Sequence, residues 1–579
     1  VLMSANTPNI HSLLDHAVYS TEGLCAYKTW SGNGWSSMLT GVWHTKHGVT
    51  DNTFNGSNYA NYPDFIQRME AYDSSLKTIS TVHWGPINSI IIQDADIENI
   101  VSTDIEVKNS AIARLTNDDP DVLFLDFDDV DHAGHSYGFS AAIPEYVDAI
   151  ELTDSYVGEI LTALYNRPQY ANENWLVVVT TDHGGNENGH GRGSIDERSI
   201  FTIYSNPEFA PEPLNRSAIT TTQTSDELHL SAGTFARPTN QSAFSFGTSQ
   251  DFTIEFWVKP TAYTGDPALV SNKNWNAGLN AGFVISAQDG AFWKVNIGDG
   301  SNRADIEGGY LQPGQWHHLA VSFDRDGLMT AYEDGAFVGF ESLALIDDIN
   351  TGLPFTINQD GTGAYGYDFD GTLKDIRVWN AVIPNDVLLN WAGIPVTASH
   401  PFYNQLLANW KCAASSETQL TDASPAANHC PITGNYSWNS NQSNAFTVYD
   451  YAGTSREPDN AVTALTWMCV PIESTWNLDG RSWVNVCDEN PLLTAPSAFA
   501  AVSIFPNPSN GQFTVQHNLA GKVHPQLRVY NALGELVLHQ ILINSSTFIQ
   551  GEQLSQGVYF IQLMDESTGT HLTRKLLVE

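Results

Sequence analysis

Two short apolar runs, each followed at once by a cluster of Asp, His and Gly, constrain the fold of this chain more than any other feature. The first run is DVLFLDF (121–127), and the second is WLVVVTT (175–181). Both are β-rich and apolar on both faces, which is typical of buried strands in a parallel sheet. Helical patterns alternate with such runs over residues 1–210, and this alternation predicts an α/β layered fold.

Metal-binding side chains follow both strands. Ligands of open parallel sheets bind beyond the carboxyl ends of the strands, so we expect these side chains to share one pocket. Carboxylate oxygen and imidazole nitrogen are the ligands that a catalytic zinc takes where no thiolate is offered. Five such ligands suit two metal ions better than one, and His132 between them is interpreted as a bystander. The candidate ligands are Asp131, His135, Asp182, His183 and His190.

The nucleophile for such a site is expected upstream, in KTWSGNGWSSMLTG. This segment offers four candidate hydroxyls, those of Thr29, Ser31, Ser36 and Ser37. Ser31 precedes Gly-Asn-Gly and an apolar helix-like run, so we expect it at a helix N-terminus, where the helix dipole and free N–H groups favour an anion. From composition alone, a helix-capping role for Ser31 stays the alternative.

The pattern of apolar and turn residues changes twice after the α/β region. From about residue 225, short alternating strands such as DFTIEFWVKP, with Gly, Asn and Asp turns, predict an all-β sandwich with no helix until about residue 385. From about residue 496, three strand-and-turn units predict a small second β-sandwich behind the linker LLTAPSAFAA.

The charge balance excludes one class of function. Lys and Arg number 25 against 65 Asp and Glu, which gives a formal net charge of −40. Binding to the phosphate backbone of DNA or RNA depends on clustered cations that release counterions, so we expect no nucleic-acid backbone partner. No run reaches the ~18 consecutive apolar residues of a transmembrane helix, so we also expect no transmembrane segment.

The order of these motifs resembles the alkaline phosphatase superfamily, specifically its type I phosphodiesterase/nucleotide pyrophosphatase branch. TPNIHSL is similar to the early helix of that branch. Ser31 lies ten residues before Gly41, where the family carries its Thr or Ser nucleophile, and GVTDN matches the family's Gly-x-x-Asp-Asn. The resemblance implies that Ser31 is the nucleophile and that Asn52 holds a non-bridging phosphate oxygen.

The same resemblance assigns the metal ligands. DVDHAGH matches the family's Asp-x-x-Gly-His motif, and TTDHGG and GHG supply the remaining ligands. It implies two Zn²⁺ ions, one bound by Asp131, His135 and His190, and the other by Asp182 and His183 beside the nucleophile. Such a pair clamps the attacking and leaving oxygens of an in-line displacement. A covalent phosphoseryl intermediate would then be hydrolysed.

Two departures from related patterns bear on this interpretation. Sulfatases share the fold but need a Cys or Ser within C/S-x-P/A-x-R, and neither the Pro/Ala nor the Arg follows Ser31, so a sulfatase-like hydrolase is the disfavoured alternative. The family's first strand ends in Asp-Gly, and that Asp completes the second metal site. Only VLMSAN precedes TPNIHSL, and Asp15 is out of position. We therefore expect an N-terminally truncated domain that lacks one carboxylate near Ser31.

Residues 458–480 resemble the C-terminal ending of the same family. They lie far beyond IFTIYSN (200–206), where the first α/β segment stops. We therefore expect a three-layer alkaline-phosphatase-like domain that is interrupted by an all-β jelly roll and followed by a small β-sandwich. The predicted boundaries are 1–215 and 445–486 for the α/β domain, 222–442 for the jelly roll, 487–499 for a linker and 500–579 for the last domain.

The insert resembles laminin-G-like, concanavalin-type jelly rolls, and the last block resembles the type IX secretion (type A) sorting domain of Bacteroidota. FPNPSNGQFTV, LRVYNALGELV, LSQGVYFIQL and RKLLVE carry the second resemblance. The jelly-roll resemblance implies a glycan partner and Ca²⁺, without assigning ligands. Trp257, Trp316 and Trp379 could stack on sugars, but core packing is the favoured role. The sorting domain implies secretion machinery as a partner and a secreted or cell-surface location, outside the outer membrane of a Gram-negative bacterium.

Two functions of different classes follow. The first is a secreted zinc-dependent phosphoric ester hydrolase, of phosphodiesterase or nucleotide pyrophosphatase type or a phosphomonoesterase, acting through a phosphoseryl intermediate. The second is a surface glycan-binding protein whose phosphatase-like domain is inactive. The intact downstream metal ligands favour the first function, and the missing Asp favours the second.

Overall fold

The computed structural model describes residues 1–413, 418–484, 487, 503–505, 509, 511–516, 526–531, 536–541, 546–551, 554–564 and 571–578. It divides into two compact units, Val1–Val486 and Cys487–Glu579. The predicted linker 487–499 lies outside the described residues, apart from Cys487.

An α/β region with two small sheets opens the first unit. Its helices are α1 (Pro8–Leu13), α2 (Ser31–Thr40), α3 (His44–His47), α4 (Phe65–Tyr72), α5 (Asp104–Asn117), α6 (Asp129–Tyr137), α7 (Pro144–Tyr165) and α8 (Ile195–Arg198). Its strands are β1 (Ala17–Leu24), β2 (Thr78–Val82), β3 (Ile97–Ile100), β4 (Val122–Asp126), β5 (Val177–Thr180), β6 (Ser199–Ser205) and β7 (Glu212–Pro213). The sheet orders are β3-β2-β4, which is parallel, and β5-β6-β1-β7, which is mixed.

The two strands that precede the Asp/His clusters do not lie in one parallel sheet, so that part of the expectation is wrong. β4 is an edge of the first sheet, and β5 is an edge of the second, where it pairs antiparallel with β6. Both strands are only partly buried, and Val178 of β5 is 40% exposed. The physical reason is that each strand has a hydrogen-bonded neighbour on one side alone among the described residues.

An all-β sandwich follows, and the prediction of its class is confirmed. Its first α-helix, α9 (Asn385–Trp391), begins where the sequence predicts a helix. Trp257 and Trp379 are buried in it, so core packing is their role, and Trp316 packs partly buried. Its strands are β8 (Ser217–Leu230), β9 (Phe235–Ala236), β10 (Phe252–Tyr263), β11 (Ala268–Ser271), β12 (Gly282–Gln288), β13 (Phe292–Gly298), β14 (Arg303–Glu307), β15 (His317–Phe323), β16 (Leu328–Glu333), β17 (Ala336–Ser342), β18 (Thr356–Ile357), β19 (Phe369–Trp379), β20 (Leu406–Trp410), β21 (Gln419–Leu420), β22 (Cys430–Thr433) and β23 (Tyr436–Asp450).

Two sheets enclose the apolar core of this sandwich. One runs β17-β16-β15-β10-β19-β8-β23, with β20 also on β19, and the other runs β14-β13-β12-β11-β18-β9-β22-β21. The β8–β23 ladder pairs Leu230 with Tyr436 at one end and Ser217 with Asp450 at the other. The sandwich strands therefore extend beyond the predicted 222–442, because this one ladder holds both connecting segments.

The chain then returns to the α/β region through helix α10 (Asp459–Trp467), which packs against α2 and α4. Gly41 ends α2 in the left-handed conformation (φ 75°), and its carbonyl accepts the N–H groups of Asp479 (2.9 Å) and Gly480 (3.2 Å). Asp479 also accepts the N–H of Trp43 (2.9 Å) and forms an ion pair with Lys46 (2.6 Å). Segment 458–480 therefore covers the C-terminal end of α2.

The sandwich also contacts the loop that leads into α2. Tyr27 is buried within the apolar core of the sandwich, and its hydroxyl accepts the N–H of Glu307. Its carbonyl accepts a hydrogen bond from Asn33 Nδ2 (3.0 Å) on α2. His44 stacks on Phe340 of the sandwich with ring centroids 4.8 Å apart. The loop before α2 and helix α3 after it therefore both contact the sandwich.

The second unit contains two small antiparallel sheets around one apolar core that includes Phe513, Val529 and Ile561. Its strands are β24 (Ser503–Phe505), β25 (Gln512–Gln516), β26 (Gln526–Asn531), β27 (Leu536–Ile541), β28 (Ser546–Gln550), β29 (Gly557–Met564) and β30 (His571–Val578). Across the part of the chain that the structure describes, no helix combines the length and the apolar character needed to span a membrane.

Candidate active site

Ser31 is the first residue of α2, and the preceding Trp30 is extended. A Cβ on Gly32 would lie 2.5 Å from the Asp51 carbonyl oxygen, so only glycine allows α2 to approach the GVTDN loop this closely. The Gly32 N–H donates to Asn52 Oδ1 (2.7 Å). Because the Asn52 oxygen accepts this bond, its Nδ2 amide remains the donor available to a ligand beside Ser31.

The three candidate ligand histidines share one orientation. The Nδ1 atom of each lies against a backbone carbonyl oxygen, which can only accept, so Nδ1 carries the proton and Nε2 is the free acceptor. A carbonyl behind an imidazole is the usual support of a metal-binding histidine. The pairs are His135 with Asn188 (3.0 Å), His183 with Gly184 (2.8 Å) and His190 with Thr29 (2.5 Å).

These acceptor atoms converge with two carboxylates. His135 Nε2 lies 3.1 Å from His190 Nε2, and Asp131 lies 3.3 Å and 3.7 Å from the same two nitrogens. Asp182 Oδ2 lies 3.4 Å from His183 Nε2. Asp131 Oδ1 and Asp182 Oδ2 are buried without a hydrogen-bond partner. Acceptors facing acceptors are expected where a cation binds, so the residues present fit divalent metal ions.

The electrostatics of the site agree with this fit. Burial raises the pKa of Asp182 to about 8, and the Asp131 carboxylate adds to the increase. Burial lowers the pKa of His183, and burial together with His183 lowers the pKa of His190. Neutral imidazole is the form that binds metal, and a cation would offset the cost of burying a charged Asp182.

Ser31 Oγ lies 3.2 Å from His183 Nε2, so the candidate nucleophile and the ligand cluster adjoin. A cavity of about 300 Å³ is lined by the other five residues of the site, and His183 adjoins it through Ser31. The structure thus brings together all seven residues that the sequence analysis selected. The cavity is lined by Trp30, Ser31, Asn52, Trp84, Asp128, Asp131, His132, His135 and His190.

Sequence reasoning missed Phe139 and Glu197. Phe139 packs so closely against Gly134 and Gly185 that a Cβ at either glycine would collide with its ring, so it joins the two Asp/His clusters. The motif glycines signalled a close neighbour without identifying it. Glu197 accepts bonds from Thr29 Oγ1 (2.9 Å) and from the N–H groups of residues 192 and 193, and thereby holds the loop that carries His190. No sequence pattern marks that role.

A third missed residue is Glu457, from the late segment of the chain. A Cβ on Gly34 would lie 3.0 Å from both Asp182 Cβ and Glu457 Oε1, so these two side chains flank the same turn of α2. Glu457 is buried and accepts the Ala26 N–H (3.0 Å), and burial raises its pKa well above the usual range. The late segment therefore reaches the back of the candidate site.

Family comparisons match separate parts of the chain in the predicted order. Residues 2–95 and 56–196 match Type I phosphodiesterase / nucleotide pyrophosphatase, and 233–386 match the Concanavalin A-like lectin/glucanases superfamily. Residues 396–484 match a Domain of unknown function (DUF4983), and 503–579 match the Secretion system C-terminal sorting domain. The chain therefore combines a phosphodiesterase-like α/β region, a concanavalin-like sandwich and a sorting domain, which confirms the predicted architecture.

Individual relatives are more distant. A 2,3-bisphosphoglycerate-independent phosphoglycerate mutase from Haloquadratum walsbyi is 36% identical over 83 residues, and the match spans 14% of each protein. A proposed carbohydrate binding protein from Bacteroides ovatus ATCC 8483 has a TM-score of 0.31 at 14% identity, covering 42% of this chain and 73% of its own.

Two further solved structures align with smaller parts of the chain. Murine ectonucleotide pyrophosphatase/phosphodiesterase 5 in complex with AMP has a TM-score of 0.26 at 20% identity, covering 32% and 53% of the two chains. A 2-O GAG sulfatase has a TM-score of 0.30 at 12% identity, covering 36% and 60%.

Proposed function

We propose that the α/β region is a zinc-dependent phosphoric ester hydrolase of phosphodiesterase or nucleotide pyrophosphatase type, with phosphomonoester cleavage as a related activity. The family match over residues 2–196 supports the class of reaction. One observation carries the proposal. Ser31 Oγ, at the N-terminus of α2, lies 3.2 Å from His183 Nε2, beside unprotonated imidazole nitrogens and carboxylate oxygens that lack hydrogen-bond partners.

The proposed ligand sets follow the geometry. Asp131, His135 and His190 would hold one Zn²⁺, and Asp182 and His183 would hold the other. When bound, the two ions supply Lewis-acid stabilisation of the charge on the attacking and leaving oxygens.

Ser31 would attack the phosphorus atom, and Asn52 would orient the phosphate group. The Ser31 hydroxyl loses its proton, and its Oγ bonds to phosphorus as the bond from phosphorus to the leaving oxygen breaks; the leaving oxygen takes up a proton and departs as an alcohol, which gives a phosphoseryl intermediate. Asn52 Nδ2, free because its Oδ1 is bound to Gly32, donates to a non-bridging phosphate oxygen. The dipole of α2 favours the anion at the same place. Water then attacks phosphorus, which releases phosphate or a phosphate monoester and restores the Ser31 hydroxyl.

The experiment compares two Ser→Ala variants on the same helix. Zinc-loaded full chain is mixed with bis(p-nitrophenyl) phosphate, quenched in acid and mapped by peptide mass spectrometry. We expect a p-nitrophenyl phosphoryl group on Ser31, because attack expels one p-nitrophenol and the second stays on phosphorus, and we expect Ser31→Ala to lose turnover by roughly 10⁴-fold or more. Ser37 is the matched control, because its hydroxyl also contacts a histidine, His47 (3.0 Å), away from the cavity. Ser37→Ala should keep turnover.

The outcomes separate the hydrolase from its rival, a glycan-binding protein with an inactive phosphatase-like domain. A p-nitrophenyl phosphoryl group trapped on Thr29, or turnover that survives Ser31→Ala, would contradict Ser31 as the nucleophile. A folded, zinc-loaded chain with neither phosphoenzyme nor turnover would favour the rival.

The last domain is a secretion sorting domain, which implies export or display at the cell surface. We propose the type IX system and the outer surface of a Gram-negative cell of the Bacteroidota as the route and destination. Cys469 is disulfide-bonded, which suits an oxidising compartment. The concanavalin-like match supports a glycan partner for the sandwich, and Ca²⁺ there stays a prediction without assigned ligands.

A further inference from the structure

A second group of ligand-type side chains borders the cavity and takes no part in the site above. It consists of His83, which follows β2, and of Asp128 and His132 at the start of α6. One ligand atom from each lies within 4.8 Å of the others. His132 Nε2 lies 3.2 Å from Asp128 Oδ2, and the rings of His83 and His132 meet edge-on with centroids 5.6 Å apart.

A buried carboxylate fixes the orientation of His83. Its Nδ1 lies 2.8 Å from Asp104 Oδ1, and the Asp104 side chain is fully buried. Asp104 is itself held by the N–H groups of Asp128 (2.9 Å) and Asp129 (3.0 Å). Nε2 is then the nitrogen of His83 with no hydrogen-bond partner among the described residues. A carboxylate behind one imidazole nitrogen is the usual second shell of a metal-binding histidine.

The chemistry of the group selects the ion. Two imidazoles and one carboxylate suit Zn²⁺, whereas Ca²⁺ and Mg²⁺ prefer oxygen ligands alone. Three protein ligands leave one position open, as in catalytic rather than structural zinc sites. Asp128 and His132 line the same cavity as Asp131 and His135, so an ion held there would adjoin the space where a substrate would lie.

We propose that His83, Asp128 and His132 form a third Zn²⁺ site, whose open position takes an oxygen of water or of an anionic group on the substrate. The site goes beyond the proposed hydrolase, because it uses none of the five ligands of the two-ion site. It gives His132, interpreted from sequence as a bystander, the role of a metal ligand.

The test counts zinc in the full chain by elemental analysis after dialysis against zinc-containing buffer. His132→Gln is the first variant, because this side chain is 59% exposed and its replacement should not disturb folding. His83→Gln is the second. Each should hold one zinc equivalent fewer than the unchanged chain. His229→Gln is the control, since His229 pairs with Asp370 (2.9 Å) in the sandwich, and it should hold the same zinc as the unchanged chain.

Undiminished zinc in His132→Gln and His83→Gln would overturn the third site. Asp182→Asn separates this result from a failure of the hydrolase proposal. If Asp182→Asn loses zinc while both histidine variants keep it, only the third site is refuted. If the histidine variants each lose one equivalent while Asp182→Asn loses none, the third site stands and the two-ion assignment fails.

Discussion

The sandwich and the α/β region both bury carboxylates, and they treat them in opposite ways. In the sandwich, Glu255 is 1% exposed and fully partnered. Its oxygens accept from His318 Nε2 (3.1 Å), Arg377 Nη1 (3.3 Å) and Trp379 Nε1 (3.2 Å). Burial alone would raise the pKa of Glu255, but Arg377 and His318 lower it to about 2. This carboxylate is satisfied by the chain itself.

In the α/β region, Asp182 has no such partners. One of its oxygens is buried without a hydrogen bond, and burial raises its pKa to about 8. Both side chains are mostly buried, with 12% of Asp182 and 2% of Glu255 exposed, so burial alone does not distinguish a structural carboxylate from a functional one. What distinguishes them is whether the fold supplies the counter-charge. The buried Asp182 oxygen without a hydrogen-bond partner is the reason for placing a cation there.

The largest expected effect comes from removing the open carboxylate. Asp182→Asn should lose zinc and reduce kcat/KM by roughly 10³-fold, because several kcal/mol of charge stabilisation disappear. The metal-free variant should be at least as stable as the metal-free parent, since it no longer buries an unpartnered carboxylate. Elemental analysis, phosphodiesterase assays and thermal unfolding in chelator measure the three quantities. A marked loss of stability in chelator would show that Asp182 has a structural partner.

Removing the hydrogen-bonded carboxylate of Glu255 should have the opposite effect: stability should fall and zinc should be kept. Glu255→Gln leaves Arg377 and His318 buried without their anion, so we expect the free energy of unfolding of the sandwich to fall by about 3–5 kcal/mol. Zinc content should not change. Glu341→Gln is the matched control, because its pair with Lys28 is partly exposed and worth at most about 1 kcal/mol. Equal urea midpoints for the two variants would contradict the account of the sandwich network.

Lowering the pH should remove the stabilisation by Glu255 gradually, as the carboxylate becomes protonated. The folded-state pKa of Glu255 is depressed to about 2, against about 4.3 in an unfolded chain. Its contribution is therefore complete above about pH 4.3 and is lost as the pH falls towards 2, by about 3 kcal/mol in all. Urea unfolding between these pH values should show this slope in the parent and lose it in Glu255→Gln. An identical pH dependence of unfolding in both proteins would refute the assigned contribution of Glu255.

The smallest expected effect concerns the late segment that covers α2. Lys46→Met removes a partly exposed ion pair with Asp479 (2.6 Å) and should cost about 1 kcal/mol or less. The backbone bonds of Asp479 and Gly480 to Gly41 remain. Activity should stay within about twofold of the parent. A large loss of stability would mean that the segment is held by this ion pair rather than by packing of α10.

The sequence predicts the site better than the sheet that supports it. The candidate ligands Asp131, His135, Asp182 and His183 can be selected from sequence because they come soon after apolar strands, and position after a strand is a local property. The pairing of those strands is not local. β4 and β5 read as buried parallel strands, yet each is a half-exposed edge of a different sheet. An apolar run indicates a strand, but it does not say which neighbour completes the strand's hydrogen bonds.

Residues that support the site from a distance are the hardest to predict. Tyr27 precedes the candidate nucleophile in sequence but is buried in the core of the sandwich, and Glu457, from beyond that insertion, flanks the same turn of α2 as Asp182. Neither position has a periodic or compositional signal, because their roles arise from packing between regions that are far apart in the chain. Glu255 shows the same limit in the sandwich, since strand alternation does not distinguish a buried glutamate from an exposed one.

The central claim is that convergent acceptors beside Ser31 hold two divalent cations. Crystals of the zinc-loaded full chain, measured at the zinc absorption edge, test it most directly. The account predicts one anomalous peak bound by Asp131, His135 and His190, and a second bound by Asp182 and His183 next to Ser31 Oγ. A zinc-loaded crystal with no peak at either position, and with His183 Nε2 still hydrogen-bonded to Ser31, would contradict it.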